Sequence, residues 1–230
     1  NQSSLERSNT ALERYATVTS RDIKEPLRSI AVFGELLSDR LIDRLAEDEA
    51  KWLTMMVKSA KQTTSMIDDL HEYSNMKLVS DFEPSSLNDA LEKALALNAS
   101  ELKKYGVNLK RDSLATVRLP IEILTLLLSK LLDNAIKFSR DEGEPTIEIG
   151  PLNDGDSGEI GFYIRDNGIG IAPQYSKRIF GVFERLHGEK EYEGNGIGLA
   201  ICQRILDEYE GRITLHSEEG QGAEFRVYLP

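Results

Sequence analysis

The sequence predicts an α+β chain: an N-terminal antiparallel helical hairpin, then an α/β sandwich whose mixed sheet is covered on one face by helices. Three observations carry this. Residues 1–78 contain one proline, Pro26, and one glycine, Gly34, and repeat apolar residues at three- and four-residue steps. A composition shift follows at Val79-Ser-Asp-Phe-Glu-Pro-Ser-Ser86. Beyond it, short strand-like runs are interleaved with three main helical stretches. The expected division is a helical dimerisation domain over 1–80 and a second domain over 81–230.

Composition narrows the class. Of 230 residues, 40% are hydrophobic and 29% charged, ordinary for a globular protein. The balance of 28 basic and 39 acidic residues gives −11, with no long basic run, which argues against a nucleic-acid surface. Cys202 is the sole cysteine, so neither an intramolecular disulfide nor a cysteine zinc site is possible. No apolar run reaches the ~18–20 residues that span a bilayer, and no signal peptide is visible. The expected location is cytoplasmic. Asn1 stands inside a helical pattern, so a fragment with an upstream sensor or targeting part removed is expected.

In the second helix, Leu53, Met56, Ala60, Thr63, Ile67, Leu70 and Ser74 form a heptad seam. The first carries Leu5, Leu12, Ala16, Thr19, Ile23, Leu27 and Ile30, its rhythm disturbed near Pro26, which removes an intrahelical bond and kinks the axis. The reversal lies within 40–50, where Glu47, Asp48 and Glu49 suit the positive end of the next helix. One hairpin cannot bury both seams. Two make a four-helix bundle, so a homodimer through residues 1–78 is expected.

In the second half, Ser85 or Ser86 caps a helix over 87–104, ending before Gly106. Strands are expected at 107–111 and 115–118. Pro120 opens a helix over 121–139. Strands follow near 146–149 and 159–165, separated by a turn at Asn153-Asp-Gly-Asp-Ser-Gly158. After a loop over 172–193 come a helix over 197–210 and a strand pair, 212–217 and 223–229, turned at Glu219-Gly-Gln-Gly222.

Polar residues concentrate at the ends of these elements. Asp166 ends a strand beside Gly168 and Gly170, which let the backbone bend tightly and approach a flat ligand. An ionised aspartate only accepts hydrogen bonds, which suits the exocyclic amine of adenine. In the apolar helix over 121–139, Lys130, Asn134 and Lys137 share one face. The Asn134 amide oxygen suits a hard divalent ion and Lys137 a phosphate oxygen, although an amphipathic helix also carries such a solvent stripe. Gly194-Asn-Gly-Ile-Gly198 opens a helix, where free backbone N–H groups suit phosphate, although a helix entry that simply needs flexibility reads the same. Phe180 and Phe183 are expected to anchor a mobile flap, with Arg185, His187 and Lys190 exposed near the nucleotide.

The order of these stretches is specific. Asn134-Ala-Ile-Lys-Phe138, Asp166-Asn-Gly-Ile-Gly170, Ile179-Phe-Gly-Val-Phe183 and Gly194-Asn-Gly-Ile-Gly198 resemble the Asn-, first Gly-, Phe- and second Gly-boxes of sensor histidine kinases. These belong to the ATPase group that includes gyrase and the ninety-kilodalton heat-shock chaperones. The N-terminal hairpin resembles the dimerisation and phosphoacceptor domain of the same kinases, and Arg185-Leu-His-Gly-Glu-Lys-Glu-Tyr-Glu-Gly194 is similar to kinases attached to bacterial phytochromes. The resemblance implies ATP and Mg2+ as cofactors. Asp166 would bind the adenine amino group, Asn134 the magnesium and Lys137 phosphate. Gly168 and Gly170 would pack at the base, and Gly194, Gly196 and Gly198 would close around the phosphates. A response regulator receiver domain, and in some readings another histidine kinase, would be the partner.

Two positions depart from that pattern. The family's phosphoacceptor motif reads roughly Ser-His-Asp-Leu-x-x-Pro-Leu, whereas this chain has Ser20-Arg-Asp-Ile-Lys-Glu-Pro-Leu27. A neutral imidazole is a nucleophile; the Arg21 guanidinium is not. Asp22, the acid that would polarise the imidazole, is retained, while Glu25 stands where better phosphatases carry Thr or Asn. His71 lies one residue off the seam and has no matching motif. Lys130 takes the place of the kinases' earlier Asn-box asparagine, and an ammonium cannot ligate a metal: either it partly substitutes for magnesium at the triphosphate and alters the magnesium dependence, or it perturbs the metal site and nucleotide binding is weak or lost. Two readings stay open. One is a nucleotide-binding pseudokinase acting by conformation, heterodimerisation or response-regulator binding. The other is an active phosphotransferase or response-regulator phosphatase working with a partner's histidine; that Arg21 was introduced to silence an active kinase is disfavoured by the second altered position, Lys130.

Overall fold

A computed structural model describes residues 23–41, 44–75, 83–139, 144–153, 160–186 and 194–230. The chain separates into two units, Asn1–Met76 and Lys77–Pro230. Arg21 and Asp22, the first part of the N-terminal seam, and His187 and Lys190 lie outside the described residues, as does most of the turn expected at 153–158.

The first unit is a helical hairpin of α1 (residues 23–41) and α2 (Glu47–Asn75). Glu47, Asp48 and Glu49 occupy the first turn of α2, and the Glu49 carboxylate accepts from the Ala46 N–H at 2.9 Å. That contact reaches back to the exposed start of the helix in the manner of a capping box. Ion pairs Lys24–Asp68 and Lys61–Glu35 tie the two helices antiparallel. Small residues set their approach: Ala31 and Ala60 are buried, and a Cβ on Gly34 would collide with the Val57 side chain. The expected seam of α2 divides. Ala60 is buried and Leu53, Ile67 and Leu70 half-buried, whereas Met56 and Thr63 are exposed. One partner helix covers only a narrow stripe, so the outer part of the apolar band faces away from α1. Phe33, Trp52 and Met55 are 65%, 67% and 66% exposed on this hairpin.

The second unit holds a five-stranded mixed sheet in the order β2 (Asn108–Arg111), β4 (Thr146–Asn153), β5 (Ile160–Asp166), β7 (Gly222–Leu229), β6 (Arg212–Glu218). The β2–β4 pair is parallel and the others antiparallel. A separate two-residue ladder joins β1 (Ser85–Ser86) to β3 (Thr116–Val117). The period-2 alternation of a strand sorts the side chains. Ile147, Ile149, Phe162, Ile164, Phe225 and Val227 are buried under the helices. On the other face, Lys110, Glu148, Arg165, Glu224 and Arg226 form a ladder of ion pairs across four strands.

Three helices cover the apolar face: α3 (Leu87–Leu97), α5 (Ile121–Lys137) and α6 (Gly198–Glu208). The Ser86 hydroxyl accepts from the Asp89 N–H at 3.2 Å and starts α3. The helix expected over 87–104 is broken at Asn98, beyond which α4 (Ala99–Lys104) turns away. Asn98 is buried, and its amide donates to the Ala94 carbonyl at 2.8 Å and to the Ser129 hydroxyl of α5 at 3.0 Å. A tertiary bond thus settles where the helix stops. The helix α5 buries Leu124, Leu127, Leu128, Leu131, Leu132, Ala135 and Ile136, leaving one half-open face that includes Lys130, Asn134 and Lys137. Among the described residues no helix is long and apolar enough to cross a membrane.

Candidate functional site

The site is built where the C-terminus of β5 meets the end of α5 and the turn between β6 and β7. Asp166 ends β5 on the helix-covered face and is 6% exposed. Its Oδ1 accepts from the Gly168 N–H at 2.8 Å and from the Ala223 N–H at 3.2 Å. Burial pushes its carboxyl up to about 6, against the lowering effect of those backbone donors. An acceptor held this way is rigid, and it costs folding energy to keep ionised.

The turn after Asp166 is wedged between two other segments. The Ile169 N–H donates to the Phe138 carbonyl at the end of α5 at 3.0 Å, and the Gly220 N–H donates to the Ile169 carbonyl at 2.6 Å. A Cβ on Gly168 would strike the Phe138 carbonyl oxygen, and one on Gly222, where φ is +86°, would strike that of Asp166. Here glycine is required by close approach. Asn167 clasps the preceding loop: its Oδ1 accepts from the Thr146 N–H at 2.9 Å and its Nδ2 donates to the Glu144 carbonyl at 3.0 Å. The Ser217 hydroxyl accepts from the Ile171 N–H at 2.8 Å and donates to the Gly222 carbonyl at 2.7 Å.

Across the opening, α5 faces the glycine stretch that begins α6. A Cβ on Gly194 would stand 3.7 Å from the Lys137 ammonium, and one on Gly198 would stand 4.0 Å from the Lys130 Cδ. Gly194 and Gly196 have φ of 154° and 68°. Gly196 sits against the backbone of residues 183–184 and the Arg185 side chain. Ile197 precedes α6 and makes no side-chain cap bond to it. Lys137 is bonded to Asp133 at 2.5 Å, one turn back on α5.

The two phenylalanines part company. Phe180 stands edge-on to Phe225 with ring centroids 6.5 Å apart, tying the 3₁₀ turn Arg178–Phe180 to the core. Phe183, expected as a second anchor, is 55% exposed with a left-handed φ of 63°. Arg185, expected to be exposed, is half-buried. The sequence assigns no site role to Asp133, Asn167, Ser217, Gly222 or Ala223, although Asn167, Gly222 and Ala223 stand in or beside its motifs and turns. Only Asp133 carried a local signal, four residues before Lys137; the others act through partners distant along the chain.

For a divalent ion, α5 offers the Asn134 amide and the Asp133 carboxylate as oxygen donors. Among the described residues no group of three or more His, Cys, Asp or Glu could hold a metal. Magnesium commonly takes one or two protein ligands and completes its shell with phosphate and water, so this donor set fits an ion carried in with a polyphosphate.

A buried carboxylate at a strand end, a glycine turn locked beneath it and a glycine-led helix facing two lysines define a nucleotide-site architecture on an α/β sandwich. Comparison with known proteins gives the domains. Residues 11–78 match the His Kinase A (phospho-acceptor) domain, and residues 121–230 match the histidine kinase-, DNA gyrase B- and HSP90-like ATPase. The chain thus carries the two domains of a two-component histidine kinase core, a phospho-acceptor domain followed by an ATPase-type domain. It is 40% identical over 227 residues, 98% of its length, to cyanobacterial phytochrome A of Nostoc sp. strain PCC 7120, of which it spans 29%. Its fold is similar to full-length ShkA in complex with AMPPNP (TM-score 0.67, 22% identity, 94% of this chain, 45% of that one). It is also similar to histidine kinase ThkA in complex with response regulator protein TrrA (TM-score 0.65, 18% identity, 100% of this chain, 66% of that one).

Proposed function

We propose that this chain is the nucleotide-binding signalling core of a sensor histidine kinase family member that does not phosphorylate itself at the usual position. The reading rests on Arg21 in Ser20-Arg-Asp-Ile-Lys-Glu-Pro-Leu27, where the resemblance puts the acceptor histidine, and on the formed Asp166 and glycine turn of the second unit. Residues 81–230 bind ATP, with Asp166 accepting from the adenine amine and Gly168 and Gly170 forming the base. Lys130, Lys137, Gly194, Gly196, Gly198 and Arg185 surround the phosphates, with Phe180 and Phe183 in the adjoining segment. The Asn134 amide would hold the magnesium ion, which neutralises phosphate charge when bound.

Residues 1–80 pair with a second copy through the apolar residues left outside the hairpin, Phe33, Trp52 and Met55 among them. The resulting bundle is the surface for a response regulator receiver domain, and the likeness to ThkA bound to TrrA supports that partner. With guanidinium at position 21, the signal passes by conformation, by pairing with an active kinase or by holding the regulator. The retained Asp22 favours a second reading, in which the core acts as a phosphatase or on a partner's histidine.

Incubation with γ-labelled ATP tests the proposal on the wild type and on Arg21→His. Label is expected only on the variant, where the γ-phosphoryl group passes to the imidazole nitrogen and ADP leaves. Label on the wild type refutes it.

A further inference from the structure

We infer that Ser217 is a positioning residue of the nucleotide site: its hydroxyl fixes the peptide unit that offers the Ala223 N–H to Asp166. The inference rests on the nucleotide-binding reading and deepens it with a residue that acts on Asp166 rather than on the ligand. Ser217 is half-buried near the end of β6, with Ala223 of β7 as its cross-strand partner. One hydroxyl works in two directions there. It accepts from the Ile171 N–H at 2.8 Å, just beyond the glycine turn, and donates to the Gly222 carbonyl at 2.7 Å. That carbonyl and the Ala223 N–H belong to one planar peptide unit. The N–H end of the unit donates to the Asp166 Oδ1 at 3.2 Å. A chain of hydrogen bonds therefore runs from Ile171 through Ser217 and the Gly222–Ala223 peptide to the acceptor carboxylate.

Gly222 explains why that peptide needs a hold. Its φ is +86°, and a Cβ there would strike the Asp166 carbonyl oxygen. The glycine that this approach demands also restricts the neighbouring peptide planes least, and the Ser217 hydroxyl sets one of them. Accepting a hydrogen bond polarises a peptide, which strengthens the N–H at its other end as a donor. On the Ile171 side the same hydroxyl grips a turn that otherwise meets the hairpin through backbone. There the Gly220 N–H donates to the Ile169 carbonyl at 2.6 Å, and a Cβ on Gly170 would strike the Glu218 carbonyl oxygen. The consequence falls on Asp166. Its carboxyl is raised by burial and lowered by backbone donors, Ala223 among them. A looser Ala223 leaves burial less opposed, so the proton binds more tightly and the acceptor form is lost at a higher pH.

Calorimetric titration of the wild type, Ser217→Ala and Ser217→Thr with adenosine across pH 5–8 tests this. Adenosine carries no phosphate, so the titration of the ligand's own charge stays out of the reading. Ser217→Ala is expected to bind about threefold or more weakly at pH 7, and on acidification to lose affinity at a higher pH than wild type. Ser217→Thr keeps the hydroxyl on a strand that suits threonine and is expected to restore both values. The Ala223 amide is expected to exchange its hydrogen faster in Ser217→Ala than in wild type, a readout that needs no ligand. Unchanged adenosine affinity or unchanged Ala223 exchange in Ser217→Ala overturns the inference. A fall in affinity that is equal at every pH also overturns it, because the serine would then only brace the hairpin. So does a threonine variant as weak as the alanine one. A wild type that binds neither adenosine nor ATP overturns the nucleotide-binding reading itself, and this inference with it.

Discussion

Acidification from pH 7 to pH 5 is expected to weaken ATP binding by roughly tenfold through Asp166 alone. Burial raises this carboxyl to about 6, while its Oδ1 is already committed to the Gly168 and Ala223 N–H groups. The ionised form is the acceptor that an amine requires. If only that form binds, the apparent dissociation constant scales with one plus the protonated-to-ionised ratio, about 1.1 at pH 7 and about 11 at pH 5. Asp166→Asn keeps the shape of the site. With its oxygen still facing the two N–H groups, it presents an amide donor to the amine, so affinity is expected to fall roughly tenfold or more and to lose this pH dependence. Calorimetry across pH 5–8 at fixed ionic strength reads both effects, and the variant cancels the titration of the ligand's own phosphate. The stability of the free protein moves the other way. A carboxyl that binds its proton more tightly folded than unfolded penalises the fold fully above about pH 6. The penalty disappears as pH falls through 6 towards the unfolded value of 3.8. It is at most about 3 kcal/mol, so Asp166→Asn is expected to melt higher than wild type at pH 7 and to lose that advantage near pH 4. Parallel pH slopes for ATP binding in wild type and Asp166→Asn would refute the assignment of Asp166 as the adenine acceptor.

Other substitutions separate site from scaffold. Asp133→Asn removes the partner of Lys137 and is expected to tighten the binding of metal-free ATP, measured in EDTA, roughly three- to tenfold; the pair is 34% and 41% exposed, so the melting temperature should hardly change. Gly168→Ala drives a Cβ into the Phe138 carbonyl. Loss of ATP binding with about 1–3 kcal/mol of destabilisation in urea melts is the expected outcome. At Glu224, burial favours the protonated form, but hydrogen bonds from Arg226 and Arg165 outweigh it and hold the carboxyl below its usual range. Its stabilisation is present above the unfolded carboxylate range and is lost as pH falls through the lower folded value. Glu224→Gln is therefore expected to cost about 1 kcal/mol near neutral pH, discounted because both arginines reach solvent, and to match wild type in strong acid.

Much of this site was legible because its residues sit at element ends. Asp166 closes a run of alternating apolar residues, and the stretch from Gly194 leads into α6, whose first residue is Gly198, so local spacing alone placed both at element ends. What escaped was written in partners rather than neighbours. Nothing around Asn98 marks a break in an otherwise continuous helical pattern; Ser129, 31 residues on, makes it one. Likewise Ala223 donates to Asp166 from another strand, and its sequence neighbours read only as a hairpin turn. The heptad seam of α2 was visible as a band, but its division between Ala60 and Met56 depends on where α1 lies. Phe183 looked like an anchor because large apolar residues usually are buried; its left-handed backbone turns that expectation aside.

The wedge beneath Asp166 also sets an order of events. Its parts come from the end of α5, the end of β5 and the start of β7, and the bond from Ala223 to Asp166 spans 57 residues. During synthesis the strand that carries Asp166 emerges well before the backbone that seats it. Until Gly222 and Ala223 arrive, that aspartate lacks one of its two backbone donors and the burial that tunes it. Pocket maturation is thereby tied to the last hairpin of the sheet. Chains cut before β7 should retain helical content yet fail to protect the Gly168 amide from hydrogen exchange, which makes that amide a reporter of completed folding.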